Sequence, residues 1–319
     1  MNPIVLAPVI SAVVTYMLTP WIRAAAARGG VVAHPGGRRV HLTATPLMGG
    51  IAIYCGFLAA VCVCVVVDPQ LRFDSQTIGI LVAATGLGVV GVLDDKYELS
   101  GWLQAAAILG SAGILAAFGV KILYVTNPFR GGHLMWLGVF SIPVTLIWVL
   151  AVTKALDCMD GLDGLAAGIS AIAAATLMLM AKDAGAPFRI TAVMAAGLLG
   201  SAIAFLRFNY PPAKIFMGTV GSQFLGFTLA AISIAGALKT ATLVAVAVPV
   251  LILGVPLFDT TFVVLRRAVN GKRIDEADTT HLHHRLLNKG LSHRQVIWLI
   301  YALTAILCAA AYALFSYVK

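Results

Sequence analysis

Apolar runs long enough to cross a membrane recur along almost the whole chain of 319 residues. A transmembrane helix takes about 20 predominantly apolar residues. Runs bounded by charged residues, glycines and prolines predict about ten such helices. The predicted spans lie near residues 3–22, 47–67, 77–93, 102–120, 138–153, 163–181, 190–206, 219–237, 241–265 and 295–316. We therefore expect residues 1–319 to form a single integral membrane domain, an all-α polytopic bundle of transmembrane helices.

The composition excludes a soluble fold. Hydrophobic residues make up 60% of the chain and charged residues 11%, against about 25% charged residues in an ordinary soluble domain. The net charge of +9 would suggest a nucleic-acid partner in a soluble protein, but the sidedness of the loops explains it better here. We therefore expect contact with membrane lipid and not with nucleic acid. The five cysteines lack the spacing of a zinc site or a disulfide framework.

The connection between the fourth and fifth predicted spans has a strand-like pattern. Between Lys121 and Leu137, apolar residues alternate around Asn127-Pro128 and a Gly-Gly pair. This pattern predicts a short β-hairpin.

Charged residues are divided unevenly between the two faces of the predicted bundle. Ten spans place alternate loops on the same side, and one side then carries most of the 22 Lys and Arg residues. The positive-inside rule makes that face cytoplasmic. Most of the 13 Asp and Glu residues lie on the same face. Because a topology signal requires only the basic residues, the acids indicate a chemical site at the cytoplasmic face.

Two groups of carboxylates lie at predicted span ends on this face. Asp94 and Asp95 follow the third span directly, and such a pair either raises a pKa or recruits a cation, although a helix-ending turn is the alternative. Asp157, Asp160 and Asp163 are spaced by three residues, with glycines after the last two. This spacing suits divalent-cation or phosphate chemistry, while the lack of a 12-residue loop ending in Glu excludes an EF-hand.

Other segments on this face carry groups that bind anions. The segment from Asn209 to Ser222 contains glycines before a predicted helix, whose first N–H groups bind anions, but it can equally be a plain loop. In the longest connection, adjacent His283 and His284 point in different directions on a helix, which disfavours a zinc site and favours anion binding. A basic segment contacting anionic lipid is the alternative. In the first loop, the positive-inside rule alone can explain Arg39 beside His41.

Taken together and in order, these segments resemble the polyprenyl-phosphate N-acetylhexosamine-1-phosphate transferases, the membrane enzymes of glycosyltransferase family 4. The resemblance covers nearly the whole chain, from the first cytoplasmic loop through the Asp-Asp pair and the Asp-Gly-Leu-Asp loop to the His-Leu-His-His-Arg segment. The last segment resembles the branch that uses UDP-N-acetylglucosamine or related UDP-sugars, rather than the translocase that uses UDP-muramoyl-pentapeptide.

The resemblance implies an activity and a location. Such enzymes transfer a sugar 1-phosphate from a UDP-sugar to undecaprenyl phosphate and release UMP, as the first membrane step of cell-envelope glycan synthesis. It implies a multi-pass protein of the bacterial inner (cytoplasmic) membrane with its active site facing the cytoplasm. The implied cofactor is Mg²⁺, and the implied partners are a UDP-sugar donor and a polyprenyl phosphate. The sequence leaves the oligomeric state open, a homodimer included.

The resemblance also implies roles for individual positions. Asp94 and Asp95 match the pair that deprotonates or positions the lipid phosphate. Asp95, Asp160 and Asp163, with the residue at position 219, match the surroundings of Mg²⁺. The implied nucleotide-sugar contacts are Arg39, His41, Lys154, Asp157, Asp160, Asp163, Asn209, His281, His283, His284 and Arg285.

The chain departs from the family pattern at four positions of this site. The pattern has Asp at Thr219, Asn at Lys154 and at Asp157, and often Lys at Gln104. Losing a carboxylate weakens a site for a hard cation. Either Asp157 replaces the lost carboxylate, or Lys154 supplies the missing positive charge and the metal is dispensed with.

Two other functions are also compatible with the sequence. One is a catalytically impaired family member that binds lipid phosphate or acts in assembly, since fold does not imply function. The other is a transporter, which is less well supported because the predicted spans hold almost no polar residues near the midplane.

Overall fold

The computed structural model describes residues 2–33, 44–126, 134–237, 247–271 and 281–318. The described residues form a helical bundle in which four short strands are the only extended segments. The helices are α1 (Pro3–Arg28), α2 (Gly50–Val67), α3 (Ser75–Tyr97), α4 (Gly101–Ala117), α5 (Ser141–Met159), α6 (Leu165–Asp183), α7 (Arg189–Asn209), α8 (Gly218–Ala237), α9 (Ala247–Ile252), α10 (Gly254–Val269), α11 (Leu282–Asn288) and α12 (His293–Val318).

Eight of the helical segments are long and apolar enough to span a membrane: those corresponding to α1, α2, α3, α5, α6, α7, α8 and α12. Apolar α4 is shorter, at 17 residues. The prediction of an all-α polytopic membrane protein is confirmed, while the number of ten spans stays a prediction.

The expectation of one continuous span near 241–265 is wrong within the described part of that range. The chain there forms two helices, α9 and α10, which are separated at Leu253. Pro256 lacks the N–H that a continuous helix would donate to the carbonyl of Ile252, and proline is tolerated in the first turn of a new helix. The thiol of Cys308 donates instead to that carbonyl, with Sγ 3.8 Å from the oxygen.

Polar side chains cap the N-termini of several helices. Asn2 precedes α1 and accepts a hydrogen bond from the N–H of Ile4, and Asp74 precedes α3 and accepts one from Thr77 at 2.8 Å. These side chains pair backbone donors that the first turn of a helix leaves without an intrahelical partner.

The predicted hairpin between the fourth and fifth spans is confirmed. Strands β3 (Tyr124–Thr126) and β4 (Leu134–Trp136) pair antiparallel, with Val125 opposite Met135. A second pair, β1 (Val32–Ala33) and β2 (Thr45–Pro46), lies between α1 and α2.

Helix α8 is almost entirely buried and packs against α2, α3, α5 and α6. Its Phe224 contacts the rings of Tyr54 and Phe57 on α2 edge-on. A Cβ at Gly50 would lie 2.2 Å from the Cα of Gly221, so α2 and α8 approach closely only because both positions are glycine. This packing fixes the beginning of α8, which the functional site uses.

The two ends of the bundle differ in chemistry. We call one the acidic end, defined by Asp94, Asp95, Asp157, Asp160 and Asp163. The other, the opposite end, holds an ion pair with 2.7 Å between Arg189 and Asp68, and a hydrogen bond from the Tyr312 hydroxyl to Asp183.

Candidate active site at the acidic end

Asp94, at the end of α3, is buried and connects that helix to the next one. Its Oδ1 accepts hydrogen bonds from the N–H of Leu99 at 2.9 Å and from Nε2 of Gln104 on α4 at 2.8 Å. The Asp94 side chain is 6% exposed. This carboxylate therefore holds the turn between α3 and α4.

Asp95 is bound on one oxygen only. Its Oδ1 accepts a hydrogen bond of 2.7 Å from the N–H of Thr219, in the first turn of α8. Its Oδ2 is buried and has no hydrogen-bond partner among the described residues. Gly218 lies against this oxygen at φ +71°, and a Cβ there would be 2.1 Å from Oδ2. Asp95 thus presents an uncommitted carboxylate oxygen beside a backbone that only glycine can supply.

Lys154 and Asp157, on the last turns of α5, join three helices in one polar network. The Lys154 ammonium donates to Oδ2 of Asp157 at 3.0 Å and to Oε1 of Gln104. The Ser222 hydroxyl, on the first turns of α8, donates to the other oxygen of Asp157. Through Gln104 the network reaches Asp94. A cation and a carboxylate absent from the family pattern are therefore direct partners.

The loop between α5 and α6 is held by buried hydrogen bonds. Oδ2 of Asp163 accepts from the N–H of Ala213 at 2.9 Å. Asn209 accepts from the N–H of Gly164 and donates to the carbonyl of Ile215, both at 3.0 Å. Both polar groups of the Asn209 amide are thus used within the protein, which makes Asn209 a support for the predicted ligand-binding loop.

Asp160 lies where negative charge accumulates. Loss of water around the carboxyl group raises its pKa well above the usual value, and the neighbouring carboxylates of Asp157, Asp95 and Asp163 raise it further. A cation at this position would relieve the repulsion between these groups.

His281 is oriented by an acid from a neighbouring helix. Its Nδ1 lies 2.8 Å from Oδ2 of Asp259 on α10, whose other oxygen accepts from the N–H of Leu282 at 2.7 Å. Burial lowers the pKa of His281, but hydrogen bonds to Asp259 and Cys158 outweigh it and raise that pKa to about 10. His281 is therefore a fixed cation at neutral pH.

His283 has the opposite character. It is 1% exposed, and neither ring nitrogen has a hydrogen-bond partner among the described residues. Burial, with the nearby His284 and His281, lowers its pKa to about 3, so the ring is neutral. A Cβ at Gly161 would lie 2.9 Å from Nε2 of His283, which places the ring against the acidic loop. One buried donor and one buried acceptor thus have no partner among the described residues.

The structure brings most of the predicted site residues to one end of the bundle. Arg285 belongs to the same short helix as His283 and stacks over the ring of Phe262, with 5.3 Å from Cζ to the centroid. Arg39 and His41 lie outside the described residues. Thr219 contributes its backbone N–H to Asp95, and no described contact makes its side chain a ligand.

Sequence reasoning missed two supporting residues. Asp259 is an acid within an apolar run, which is a recognisable signal of function. Tyr301 on α12 donates its hydroxyl to the carbonyl of Gly164 at 2.6 Å, and nothing in its sequence context marks it.

The described residues contain no group of three His, Cys, Asp or Glu side chains arranged to hold a metal ion. The acidic end nevertheless fits a hard cation in its chemistry. Oδ2 of Asp95 has no hydrogen-bond partner among the described residues, and the carboxylates around Asp160 repel one another. These oxygen atoms are potential ligands for a hard cation, whose positive charge would offset the repulsion.

The fold is that of a polytopic membrane protein. Carboxylates, a lysine and histidines are clustered at one end of the bundle, and this combination is suited to phosphate chemistry. Residues 77–237 match the family model of glycosyl transferase family 4. The chain belongs to this family, as its motifs predict. The family generally comprises metal-dependent transferases.

Sequence similarity to known proteins covers nearly the whole chain. A probable undecaprenyl-phosphate N-acetylglucosaminyl 1-phosphate transferase of Bacillus subtilis is 37% identical over 98% of this chain and 85% of its own length. A decaprenyl-phosphate N-acetylglucosaminephosphotransferase of Mycobacterium leprae is 35% identical over 94% of this chain and 81% of its own. An undecaprenyl-phosphate alpha-N-acetylglucosaminyl 1-phosphate transferase of Escherichia coli is 28% identical, covering 90% and 77% respectively.

Proposed function

We propose that this protein transfers N-acetylglucosamine 1-phosphate, or a related sugar 1-phosphate, from a UDP-sugar to a polyprenyl phosphate and releases UMP. The observation that carries the proposal is the buried, uncommitted Oδ2 of Asp95 at the acidic end. The names of the relatives support the reaction, since all three are transferases of this type.

The reaction requires an anionic acceptor to attack a phosphorus atom. An oxygen of the lipid phosphate forms a bond to the phosphorus that carries the sugar. The bond from that phosphorus to the bridging oxygen breaks, and UMP leaves with its electron pair. Asp95 positions the lipid phosphate and accepts its proton at Oδ2, while the Thr219 N–H holds the other carboxylate oxygen in place.

The histidine segment binds the donor in this proposal. His281 is held as a cation by Asp259, and a cation attracts the diphosphate. Neutral His283 offers one donor and one acceptor to the sugar or the diphosphate, and His284 and Arg285 adjoin it. Arg39 and His41 are proposed donor contacts on the basis of the sequence alone.

Mg²⁺ is the proposed cofactor. Asp160 would hold it, with Asp95 and Asp163 nearby, and the bound ion would neutralise charge on the diphosphate. Thr219 offers a hydroxyl where a carboxylate is expected, so the affinity for Mg²⁺ is expected to be weak.

The proposed location is the bacterial inner membrane, with the acidic end in the cytoplasm. The distribution of Lys and Arg between the loops supports this orientation. The three relatives come from bacteria, which supports the location.

The alternative is a protein that binds lipid phosphate without transferring the sugar. Thr219 favours this alternative, because a carboxylate ligand is missing there.

The experiment that separates the two functions measures UMP release. Purified protein is incubated with undecaprenyl phosphate, Mg²⁺ and several UDP-N-acetylhexosamines. Release that depends on both the donor and the lipid supports transfer. Lipid binding without UMP release from any donor supports the alternative.

A further inference from the structure

An anionic substrate meets an electrostatic obstacle at the acidic end. The side chains of five aspartates, Asp94, Asp95, Asp157, Asp160 and Asp163, lie there. A phosphate group brings further negative charge to the same place. Binding there requires a cation within hydrogen-bonding distance of the phosphate.

Lys154 is such a cation, and the protein holds it in position. The ammonium has three N–H donors, and two of them have partners: Oδ2 of Asp157 at 3.0 Å and Oε1 of Gln104. Gln104 is itself fixed by its bond to Asp94. These partners hold the ammonium from within the protein. The Lys154 side chain is 28% exposed, so a ligand can still reach the ammonium.

We propose that Lys154 is a phosphate-binding residue whose third N–H donates to an oxygen of the substrate phosphate. Asp157 and Gln104 act as positioning residues for this ammonium. The inference rests on the proposed function only for the identity of the phosphate, which belongs either to the nucleotide or to the polyprenyl phosphate.

A simpler role must be separated from this one. Lys154 would also be needed if it only neutralised Asp157, because removing it leaves a poorly compensated carboxylate. The variant pair Asp157→Asn and Lys154→Gln/Asp157→Asn distinguishes the two roles. Neither variant contains the Asp157 carboxylate that Lys154 could neutralise, and the two differ only in the Lys154 ammonium.

The test measures binding in EDTA, with no divalent cation present. The dissociation constants of UMP and of undecaprenyl phosphate in detergent micelles are measured for the wild type, Lys154→Gln, Lys154→Arg and both Asp157 variants. Lys182→Gln is the matched control, since Lys182 is exposed near the far end of α6, about 25 Å along that helix from its start.

The proposal predicts that Lys154→Gln weakens binding of at least one of the two ligands by about tenfold, as expected for a hydrogen bond to a charged group. The ligand affected identifies which phosphate Lys154 contacts. The double variant should bind that ligand about tenfold more weakly than Asp157→Asn alone. Lys154→Arg should retain most of the affinity, and Lys182→Gln should match the wild type.

Equal binding by Asp157→Asn and the double variant, for both ligands, would overturn the proposal and leave Lys154 as a counter-ion of Asp157. Unchanged binding in Lys154→Gln would overturn it as well. Thermal unfolding of each variant shows whether it is folded. A wild type that releases no UMP from any donor would refute the proposed transfer, while the binding measurements would still decide the role of Lys154.

Discussion

Asp94 and Asp95 are neighbours in sequence, but their side chains have different partners. Oδ1 of Asp94 accepts hydrogen bonds from the N–H of Leu99 and from Nε2 of Gln104, and so supports the α3–α4 turn. Asp95 leaves Oδ2 without a partner among the described residues, beside Gly218. The sequence predicts a reactive pair, and we propose that Asp95 carries the chemistry while Asp94 supports the turn.

This division predicts different effects of replacing each carboxylate with an amide. Asp95→Asn should lower turnover at least about 100-fold, the lower range of a general acid–base contribution, without loss of folding. Asp94→Asn keeps an oxygen that accepts the same two hydrogen bonds, so its turnover should fall less. Steady-state UMP release, with thermal unfolding as the control, measures both. Equal turnover in Asp95→Asn and the wild type would remove Asp95 from the mechanism.

The four departures from the family pattern are connected in space. Lys154 donates to Gln104, so an ammonium still reaches the place where the pattern often has a lysine. Asp157 accepts a hydrogen bond from Ser222 on α8, so a carboxylate lies at the start of this helix, where the family resemblance implies an Asp at position 219. The sequence shows each departure singly, and only the fold shows that the two new charges are partners.

A double substitution should create the metal site that the family resemblance implies. In Thr219→Asp with Lys154→Asn, a carboxylate is added and a cation that repels Mg²⁺ is removed. We expect higher Mg²⁺ affinity and higher transferase activity than in either single variant, with non-additive effects because the two residues act on one ion. Titration of UMP release with Mg²⁺ across all four proteins checks this. Strong Mg²⁺-dependent turnover in the wild type that Thr219→Asp abolishes would show that the interpretation of Thr219 as a deficit is wrong.

At the scale of elements, α10 and α11 are joined by the pair of Asp259 and His281. The pKa of His281 is raised to about 10 in the folded protein, against an ordinary value of 6.5. A raised histidine pKa contributes stability that is fully present below about pH 6.5 and is lost as the pH rises through about 10.

The pair should therefore stabilise the protein in a pH-dependent way. The difference in unfolding temperature between the wild type and His281→Gln should be largest near pH 6 and shrink towards pH 10. Asp259→Asn is the matched control and should show the same trend, because it removes the other partner. Thermal unfolding in detergent across this pH range measures the difference. A difference that stays constant from pH 6 to 10 would contradict the assignment.

The sequence predicts elements where local patterns decide them. Long apolar runs predict the helices, and the alternation around 121–137 predicts β3 and β4. The break at Leu253 is missed because the run from 241 to 265 is predominantly apolar, and hydropathy does not register the missing N–H of Pro256. Contacts such as that between Asn209 and Gly164 join residues far apart in sequence, so no local pattern reveals them.

For the molecule as a whole, the distribution of Lys and Arg predicts the orientation in the membrane. Single cysteines placed near Asp95, Asp163 and His283 should react with an impermeant thiol reagent from the cytoplasmic side only. Cysteines near Asp74 and Asp183 should react from the outside only, because the charge distribution places these loops across the membrane. Labelling of any of the first three positions from outside would contradict a single cytoplasmic site.

The gathering of five carboxylates at one end of the bundle is a property of the whole fold. The sequence predicts that these residues share a membrane face, since they end or begin predicted spans. It does not predict which of them touch, because that depends on how α3, α5 and α8 pack together. We therefore propose that this assembled end performs sugar-phosphate transfer through Asp95.

Mass spectrometry of the lipid tests directly whether the sugar phosphate is transferred. Purified protein is incubated with undecaprenyl phosphate, Mg²⁺ and UDP-N-acetylglucosamine, and the lipid and UMP are both quantified. We predict a lipid whose mass has increased by one N-acetylhexosamine phosphate, formed in equal amount to UMP by the wild type and not by Asp95→Asn. Formation of this lipid by Asp95→Asn as fast as by the wild type would exclude Asp95 from the transfer, and UMP formed without this lipid would exclude the transfer itself.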